Sequence, residues 1–279
     1  MPENSRRSDP AAIRRENGVR FAERRMAENY CFRPPYSQEV FDTLLGLIRD
    51  EPRAVLDAGC GPGKIARALG DSAARVDAVD PSSEMIRIGK AMPGGDNPKI
   101  RWLNGRIEDI ALTPPYALVV AGASFHWMQP EVALRRFSEV ISPRGMFAIL
   151  DGDAPIDPPW AAEEQAIMID AVTKIEGAPP KWWMTASQRL HIAHTDHPQF
   201  APVGTVITAP MRFTQSIGDY LRCQHSRATW SEEHMGEDLV REFDAAMTAM
   251  LAPHARDGML TYAVQTRLEW GRPLAGNFG

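Results

Sequence analysis

The chain has 279 residues, of which 44% are hydrophobic and 24% charged, the balance of an ordinary globular protein. Its 31 Lys and Arg against 36 Asp and Glu give a formal net charge of −5 at pH 7, which argues against a bulk electrostatic hold on nucleic acid or on an anionic membrane. No stretch approaches the ~20 consecutive apolar residues of a membrane-spanning helix. The sequence therefore predicts a globular protein that uses neither nucleic acid nor a membrane as partner.

The cysteines and the start of the chain predict a cytoplasmic location. Cys31, Cys60 and Cys223 are odd in number and scattered, which is typical of reduced thiols. Residues 1–30 lack the apolar segment of a secretory signal, and they carry too many acidic residues for a transit peptide.

Residues 1–50 are predicted to form an N-terminal helical cap. Apolar side chains at helical spacing indicate one helix over residues 11–30 and a second over residues 37–49. We expect this cap to act as a lid over a ligand, with Tyr30 and Arg33 facing inward.

Residues 51–150 alternate short apolar strands with helices. The predicted strands are 54–56, 75–79, 99–103, 116–121 and 146–150, and the predicted helices are 65–69, 82–92 and 130–140. Continuous apolar strands of this length are typical of a parallel sheet that helices cover on both faces. The sequence thus predicts a doubly wound α/β core.

Beyond residue 150 this alternation stops. Residues 151–202, rich in Pro, Trp and Met, are interpreted as an insertion that caps the acceptor, and residues 203–279 as the part that completes the sheet. The elements predicted here are helices at 161–175, 215–225 and 236–251, a strand at 203–209 and a last strand around 262–270. In the last strand Tyr262, Val264 and Leu268 share one face and Glu269 lies on the other, and we expect it to return to the sheet edge.

A glycine-rich turn follows the first predicted strand and opens the next helix. Gly59, Gly61 and Gly63 let the backbone approach a ligand where a Cβ would collide, and the helix start favours an anionic group. A dinucleotide fingerprint needs its third glycine where Lys64 stands, which disfavours a nicotinamide-dependent oxidoreductase. Asp57 instead suits a ligand with an ammonium group, because a carboxylate accepts its hydrogen bonds.

Three further segments follow the next predicted strands. Asp80 closes the second strand, where a carboxylate can accept hydrogen bonds from both hydroxyls of a ribose. Glu108 follows the third strand and could accept from an adenine amino group. The fourth strand ends in the small residues Ala121 and Gly122, which is where the crevice of such a sheet lies.

These four segments, in this order and spacing, resemble the class I S-adenosylmethionine-dependent methyltransferases, in particular the small-molecule branch that includes the ubiquinone-biosynthesis and trans-aconitate methyltransferases. The resemblance covers residues 30–150 well and 203–271 loosely, and it implies a Rossmann-like, seven-stranded sheet, mostly parallel, with a reversed last strand. It implies S-adenosylmethionine as cofactor, with the glycines at its methionine end, Asp80 at the ribose and residues 107–109 around the adenine. The implied cofactor-binding residues are Asp57, Gly59, Cys60, Gly61, Gly63, Asp80, Pro81, Ser82, Ile107, Glu108, Asp109, Ala121 and Gly122.

The function predicted on this basis is transfer of a methyl group to a small-molecule acceptor. His126 is either a general base that touches the acceptor or a polar residue that packs at the strand end. Arg33 and Arg227 could hold an acidic acceptor, since a guanidinium binds a carboxylate through two hydrogen bonds. The candidate acceptor-pocket residues are Tyr30, Arg33, Tyr36, Trp127, Trp182, Trp183 and Arg227.

Two alternatives to methyl transfer stay open. The fold also hosts enzymes that use the cofactor without transferring its methyl group, for example by a cyclisation that releases methylthioadenosine. A non-catalytic cofactor-binding module is the third hypothesis. No metal is predicted, because the histidines of residues 191–197 lack the spacing of a binuclear site.

Overall fold

The computed structural model describes residues 24–181, 183–191 and 197–274. The strands are β1 (Ala54–Ala58), β2 (Arg75–Asp80), β3 (Ile100–Asn104), β4 (Tyr116–Gly122), β5 (Ile141–Asp151), β6 (Phe200–Ile207), β7 (Met211–Ser216), β8 (Met259–Val264) and β9 (Arg267–Pro273). The helices are α1 (Arg24–Asn29), α2 (Gln38–Leu47), α3 (Lys64–Leu69), α4 (Ser83–Ala91), α5 (Pro130–Val140), α6 (Ala161–Glu176), α7 (Ala186–Leu190), α8 (Ile217–His225), α9 (Glu232–Met235) and α10 (Glu237–Leu251). Short 3-10 turns cover Tyr30–Phe32, Phe125–Trp127, Ala228–Trp230 and Ala252–His254.

Seven of these strands form one sheet in the order β3-β2-β1-β4-β5-β9-β6. Strands β1 to β5 are parallel, and β9 runs antiparallel to both of its neighbours, β5 and β6. The predicted doubly wound sheet with a reversed last strand is therefore confirmed. Since β1 lies between β2 and β4, the strand order reverses there, and a crevice opens at the carboxyl ends of these strands.

The sheet is apolar on both faces because every residue of β1 and nearly every residue of β4 is buried. Val55 and Leu118 pack with α2 and α3 on one face, whereas Leu56 and Val119 pack with α5 on the other. Successive side chains of a strand point to opposite faces, so a continuous apolar run is what two covering helical layers require.

A second apolar cluster lies outside the sheet and centres on Trp160, Tyr220 and Phe243. It is built from two stretches, 152–199 and 208–266, whose described parts we call the cap. In the cap β7 and β8 form an antiparallel pair separate from the main sheet. Trp160 meets the rings of Tyr220 and Tyr262 edge-on, at centroid distances of 6.2 and 6.3 Å.

The C-terminal part of the chain differs from the expectation at its last strand. The predicted last strand is two strands, because β8 pairs with β7 and β9 inserts between β5 and β6; the edge strand is β6. Glu269, on the face opposite Leu268, is also buried, and it pairs with Arg267 at 3.1 Å. Residue 202, where the predicted insertion ends, lies inside β6, and within the described residues 203–274 only 203–207 and β9 join the main sheet.

Of the predicted N-terminal cap, residues 1–23 lie outside the described part of the chain. Helix α1 and the Tyr30–Phe32 turn pack against α8 of the cap. Within the described ranges, no helix combines the length and the apolarity needed to cross a membrane.

Candidate functional site

The glycine turn after β1 has a backbone that only glycine adopts without strain. Gly59, Gly61 and Gly63 have φ values of 68°, 54° and 74°. A Cβ on Gly59 would lie 2.6 Å from Cβ of Ser124, and one on Gly63 would lie 2.4 Å from the ring of Trp102. A Cβ on Gly61 would meet nothing closer than Tyr30, at 3.8 Å, so Gly61 is the glycine that faces open space.

Asp57 lies beneath this turn. Its Oδ2 accepts from the backbone N–H of Ala66 at 3.0 Å, while Oδ1 has no hydrogen-bond partner. Burial raises the pKa of Asp57 to about 7, and the nearby charge of Asp80 adds to the shift. An orphaned buried carboxylate oxygen fits a cationic group or a water molecule at the turn. Cys60 is also buried, and burial raises the pKa of its thiol, so it is a small packing residue of the turn.

Asp80 closes β2 and faces the same space. Its Oδ2 accepts from the N–H of Gly61 and its Oδ1 from the N–H of Ser82, both at 2.8 Å. Each oxygen keeps a second lone pair for a ligand hydroxyl. Burial raises the pKa of Asp80 to about 6. The Ser82 hydroxyl caps α4 by accepting from Met85 at 3.2 Å.

The two acidic residues after β3 have different environments. The Glu108 side chain is nearly buried, accepts from the N–H of Gln129 at 2.9 Å and pairs with Arg106 at 3.2 Å. The Asp109 side chain is 79% exposed and does not line the crevice.

A cavity of about 470 Å³ joins these segments, within the size range of small-molecule sites. Of the predicted residues it is lined by Tyr30, Arg33, Gly59, Gly61, Asp80, Pro81, Ser82, Ile107, Glu108, Gly122, His126, Trp127 and Arg227. Asp57, Cys60, Gly63 and Ala121 lie behind the lining. The rings of His126 and Trp127 are adjacent, with centroids 4.6 Å apart.

Two of the predicted acceptor residues that the structure describes, Tyr36 and Trp183, are not among the lining. The Tyr36 hydroxyl lies behind Gly122, and Trp183 packs on Trp230 at 6.3 Å between centroids. Trp182 lies outside the described residues, as do His194 and Asp196 of the histidine-rich segment. In the part of the chain that the structure describes, no group of three or more His, Cys, Asp or Glu side chains could hold a metal ion.

Two acids at the end of β5 line the cavity and were not predicted from the sequence: Asp151, the last residue of the strand, and Asp153, which follows it. Asp153 pairs with Arg33 at 3.2 Å and with Arg227 at 3.0 Å. Burial alone would raise the pKa of Asp153, but the charges of Arg227, Arg33 and Lys64 outweigh it and hold the pKa well below its usual range. Their position at a strand end was the signal that could have found them, since β5 is parallel to β4.

Tyr30 forms the wall of the cavity above Gly61. The guanidinium of Arg33 stacks 4.3 Å from the centroid of its ring, and the ammonium of Lys64 lies 5.4 Å from it. Lys64 also donates to the carbonyl oxygens of Arg33 and Pro34, at 3.2 and 2.8 Å. This contact fastens the N-terminal segment to the start of α3.

Part of this chain is similar to a known family. Residues 55–145 match a family described as a methyltransferase domain. That range holds the glycine turn, Asp80, residues 107–109 and the end of β4, and so covers the side of the cavity that the four segments build.

The named relatives match over a similar region. Malonyl-[acyl-carrier protein] O-methyltransferase of Halalkalibacterium halodurans is 29% identical over 137 residues, 47% of this chain and 48% of that protein. Trans-aconitate 2-methyltransferase of Mycolicibacterium gilvum is 34% identical over 99 residues, 34% of this chain and 36% of that protein. The chain thus spans about half the length of these relatives, or less.

A solved structure from Anaeromyxobacter dehalogenans, described as a candidate type II methyltransferase, has the same fold. It superimposes with a TM-score of 0.60 at 20% identity, over 88% of this chain and 99% of that one. At this identity the likeness concerns the fold.

Proposed function

We propose that this chain, whose residues 55–145 form a methyltransferase domain of the class I fold, transfers a methyl group from S-adenosylmethionine to a small-molecule acceptor. One observation carries the proposal. A single cavity runs from Asp80 and Glu108, suited to a nucleoside, past Gly61 to a cluster of arginine side chains. Such a cavity has a place for the cofactor at one end and for an acceptor at the other.

The residues present fit the cofactor. Asp80 offers two carboxylate oxygens, already aimed by Gly61 and Ser82, to the ribose hydroxyls. The Oδ1 atom of Asp57 has no hydrogen-bond partner and lies under the glycine turn, which is expected at the methionine end of the cofactor. The ammonium group of the cofactor would supply the positive charge and the hydrogen bond that this carboxylate lacks. Glu108 lines the adenine end, whereas Asp109, exposed and outside the lining, is left out of the proposed site.

When bound, the cofactor supplies a methyl group already activated by a sulfonium, so the protein has mainly to align and desolvate the reactants. Tyr30 closes the cavity above Gly61, and its ring face favours a nearby positive charge. His126 lines the cavity and is the proposed base for a neutral hydroxyl acceptor; an acceptor that is already ionised needs none.

The proposal also includes a cytoplasmic location and the absence of nucleic acid among the partners. Cys31, Cys60 and Cys223 are all free thiols, and two of them are buried, which favours a reducing compartment. The net charge of −5 disfavours a nucleic-acid partner.

Isothermal titration calorimetry of S-adenosylmethionine and S-adenosylhomocysteine tests the cofactor half of the proposal. Asp80→Asn should weaken both ligands at least about tenfold, because an amide replaces the carboxylate that accepts from the ribose. Asp109→Asn is the matched control, since it removes an exposed carboxylate outside the cavity and should bind as the wild type does.

Mass spectrometry of an incubation with S-adenosylmethionine and small-molecule extracts tests the transfer half. S-Adenosylhomocysteine that accumulates only with extract supports methyl transfer. Methylthioadenosine formed without any acceptor would instead support the alternative in which the cofactor is itself the substrate. Tight binding with neither product would favour the non-catalytic module.

A further inference from the structure

We infer that Arg227 binds a carboxylate group in the cavity and that Asp153 is the positioning residue that orients its guanidinium. The inference rests on the proposed function and deepens it, since it makes the acceptor an acid. It also separates two arginines that the sequence treats alike.

Arg33 is occupied by the protein itself. Its Nε donates to the Ser226 hydroxyl at 2.7 Å, one terminal nitrogen donates to the Ser226 carbonyl at 2.7 Å, and the other pairs with Asp153. One face of the guanidinium is stacked on Tyr30, and the side chain is only 8% exposed. Arg33 therefore joins the N-terminal segment to the cap, which favours Arg227 over Arg33 as the residue that holds an acceptor.

Arg227 makes fewer contacts with the protein. One terminal nitrogen donates to Oδ1 of Asp153 at 3.0 Å and the other lies 3.4 Å from the Asp153 carbonyl oxygen. A guanidinium has five N–H donors in a planar fork, so donors remain for a ligand. Its side chain is 21% exposed and lines the cavity, as do the next residues, Ala228 and Thr229.

The side-chain charges at the Arg227 end of the cavity favour an anionic ligand. Arg33, Arg227 and Lys64 bring three positive charges around Asp153, and Asp151 adds one further carboxylate. Counted over these five side chains the balance is positive by one charge, and a bound sulfonium would add another. Burying these charges together is costly unless the ligand carries a negative group. A carboxylate matches the geometry of the fork, which makes it the chemistry of choice here.

Two sources can supply that carboxylate, the acceptor or the amino-acid part of the cofactor. The acceptor is favoured because Arg227 belongs to the cap, whereas the glycine turn and Asp57 belong to the core. Calorimetry with four probes separates the two sources. S-Adenosylhomocysteine is compared with methylthioadenosine, which lacks the amino-acid carboxylate. Malonate and citrate are each compared with their methyl esters. The acids are titrated into free protein and into protein saturated with S-adenosylhomocysteine.

Arg227→Met should weaken malonate or citrate at least about tenfold and leave the esters and methylthioadenosine unchanged, which assigns the carboxylate to the acceptor. A tenfold loss for S-adenosylhomocysteine alone, with methylthioadenosine unchanged, assigns it to the cofactor. If neither loss occurs, including the case in which no acid binds the wild-type protein, the inference is overturned. The acids are also titrated into free protein, so that a failure of this inference can be told apart from a failure of cofactor binding.

Four variants guard against a trivial result. Arg222→Met removes an exposed arginine of α8 that stacks on Phe32 outside the cavity, and it should bind every probe as the wild type does. Arg227→Lys keeps the charge and loses the fork, so an intermediate affinity is expected even if Arg227→Met fails to fold. Asp153→Asn should lower the affinity for the acids, with partial recovery in Asp153→Glu; a purely structural residue would change the melting temperature and leave the ratio of acid to ester affinity unchanged.

Discussion

The Nε2 atom of His225 lies 2.8 Å from a carboxylate oxygen of Asp244, and its Nδ1 lies 2.7 Å from the carbonyl oxygen of Trp230. Both neighbours only accept hydrogen bonds, so the ring bridges them only when both nitrogens carry protons. Burial lowers the pKa of His225, but the hydrogen bonds to these neighbours, with the charges of Asp244 and Glu232, outweigh it and the pKa is raised. The imidazolium thus ties α8 to α10 and to the turn that follows Arg227.

The stability of the cap should therefore depend on pH. Since the folded-state pKa is raised, the contribution is fully present below the unfolded value of about 6.5 and is lost as the pH rises through the folded-state pKa. His225→Gln should lower the free energy of unfolding by about 1–2 kcal/mol at pH 6, with a smaller deficit at higher pH. Denaturant unfolding at pH 6 and at higher pH measures this deficit, with His191→Gln, at an exposed histidine, as control. A deficit that stays constant with pH would contradict a protonated His225 in the folded protein.

Cofactor affinity should rise with pH through the titration of Asp80. Burial raises the pKa of Asp80 to about 6, and only the carboxylate accepts from both ribose hydroxyls. The dissociation constant of S-adenosylhomocysteine should fall as the pH increases from 5 to 7, and this dependence should be lost in Asp80→Asn. An unchanged pH profile in that variant would assign the dependence to another group, such as Asp57.

Asp57 should lower the stability of the folded protein near pH 7 and strengthen its binding of the cofactor. Burial raises its pKa to about 7, so between pH 4 and 7 the folded protein retains a proton that the unfolded chain has released, and the free energy of unfolding falls as the pH rises. Asp57→Asn keeps the acceptor for Ala66 and should gain about 2 kcal/mol relative to wild type by pH 7, while binding S-adenosylmethionine more weakly. Paired unfolding and calorimetry experiments test both halves, with Asp109→Asn as reference.

Two glycines of the same turn should respond differently to alanine. Gly59→Ala puts a Cβ 2.6 Å from Ser124 and should cost about 2–4 kcal/mol of stability. Gly61→Ala meets no close neighbour, so only the left-handed backbone is penalised, by about 1–2 kcal/mol. Its Cβ points at Tyr30, however, and should reduce cofactor affinity. Equal stability losses in the two variants would show that Ser124 yields to the new methyl group.

His126→Ala distinguishes an ionised acceptor from a hydroxyl acceptor. If the acceptor is a carboxylate, no proton has to be removed, and kcat should change by less than about threefold. Loss of a general base costs about 10²–10⁴-fold in rate. A drop of that size, with an unchanged KM, would therefore make His126 the base and argue for a neutral hydroxyl.

The cofactor side of the cavity was largely predictable from sequence, because its determinants are local. Short apolar strands, each followed by a glycine or an acid, predict where Gly61 and Asp80 must lie once the sheet is parallel. The fold places both on one cavity, as expected.

The acceptor side was not predictable to the same degree, because its partners are far apart in the chain. Arg33 was expected to be available, but it is bound by Ser226, 193 residues away. Similarly, the alternation of apolar and polar residues over 262–270 predicts which side chains share a face of the strand. It does not predict which strand pairs with these residues. The chain changes sheets between Val264 and Arg267, and no periodicity marks that change.

The described cap residues leave the core only after β5 and after β6, and they rejoin it at β6 and β9, three strands that are neighbours at one side of the sheet. The residues proposed to contact the cofactor follow β1 to β4, on the other side of the sheet. The two halves of the molecule can therefore diverge independently. Changes in the cap can therefore alter the proposed acceptor side while β1 to β4 and the residues that follow them stay as they are.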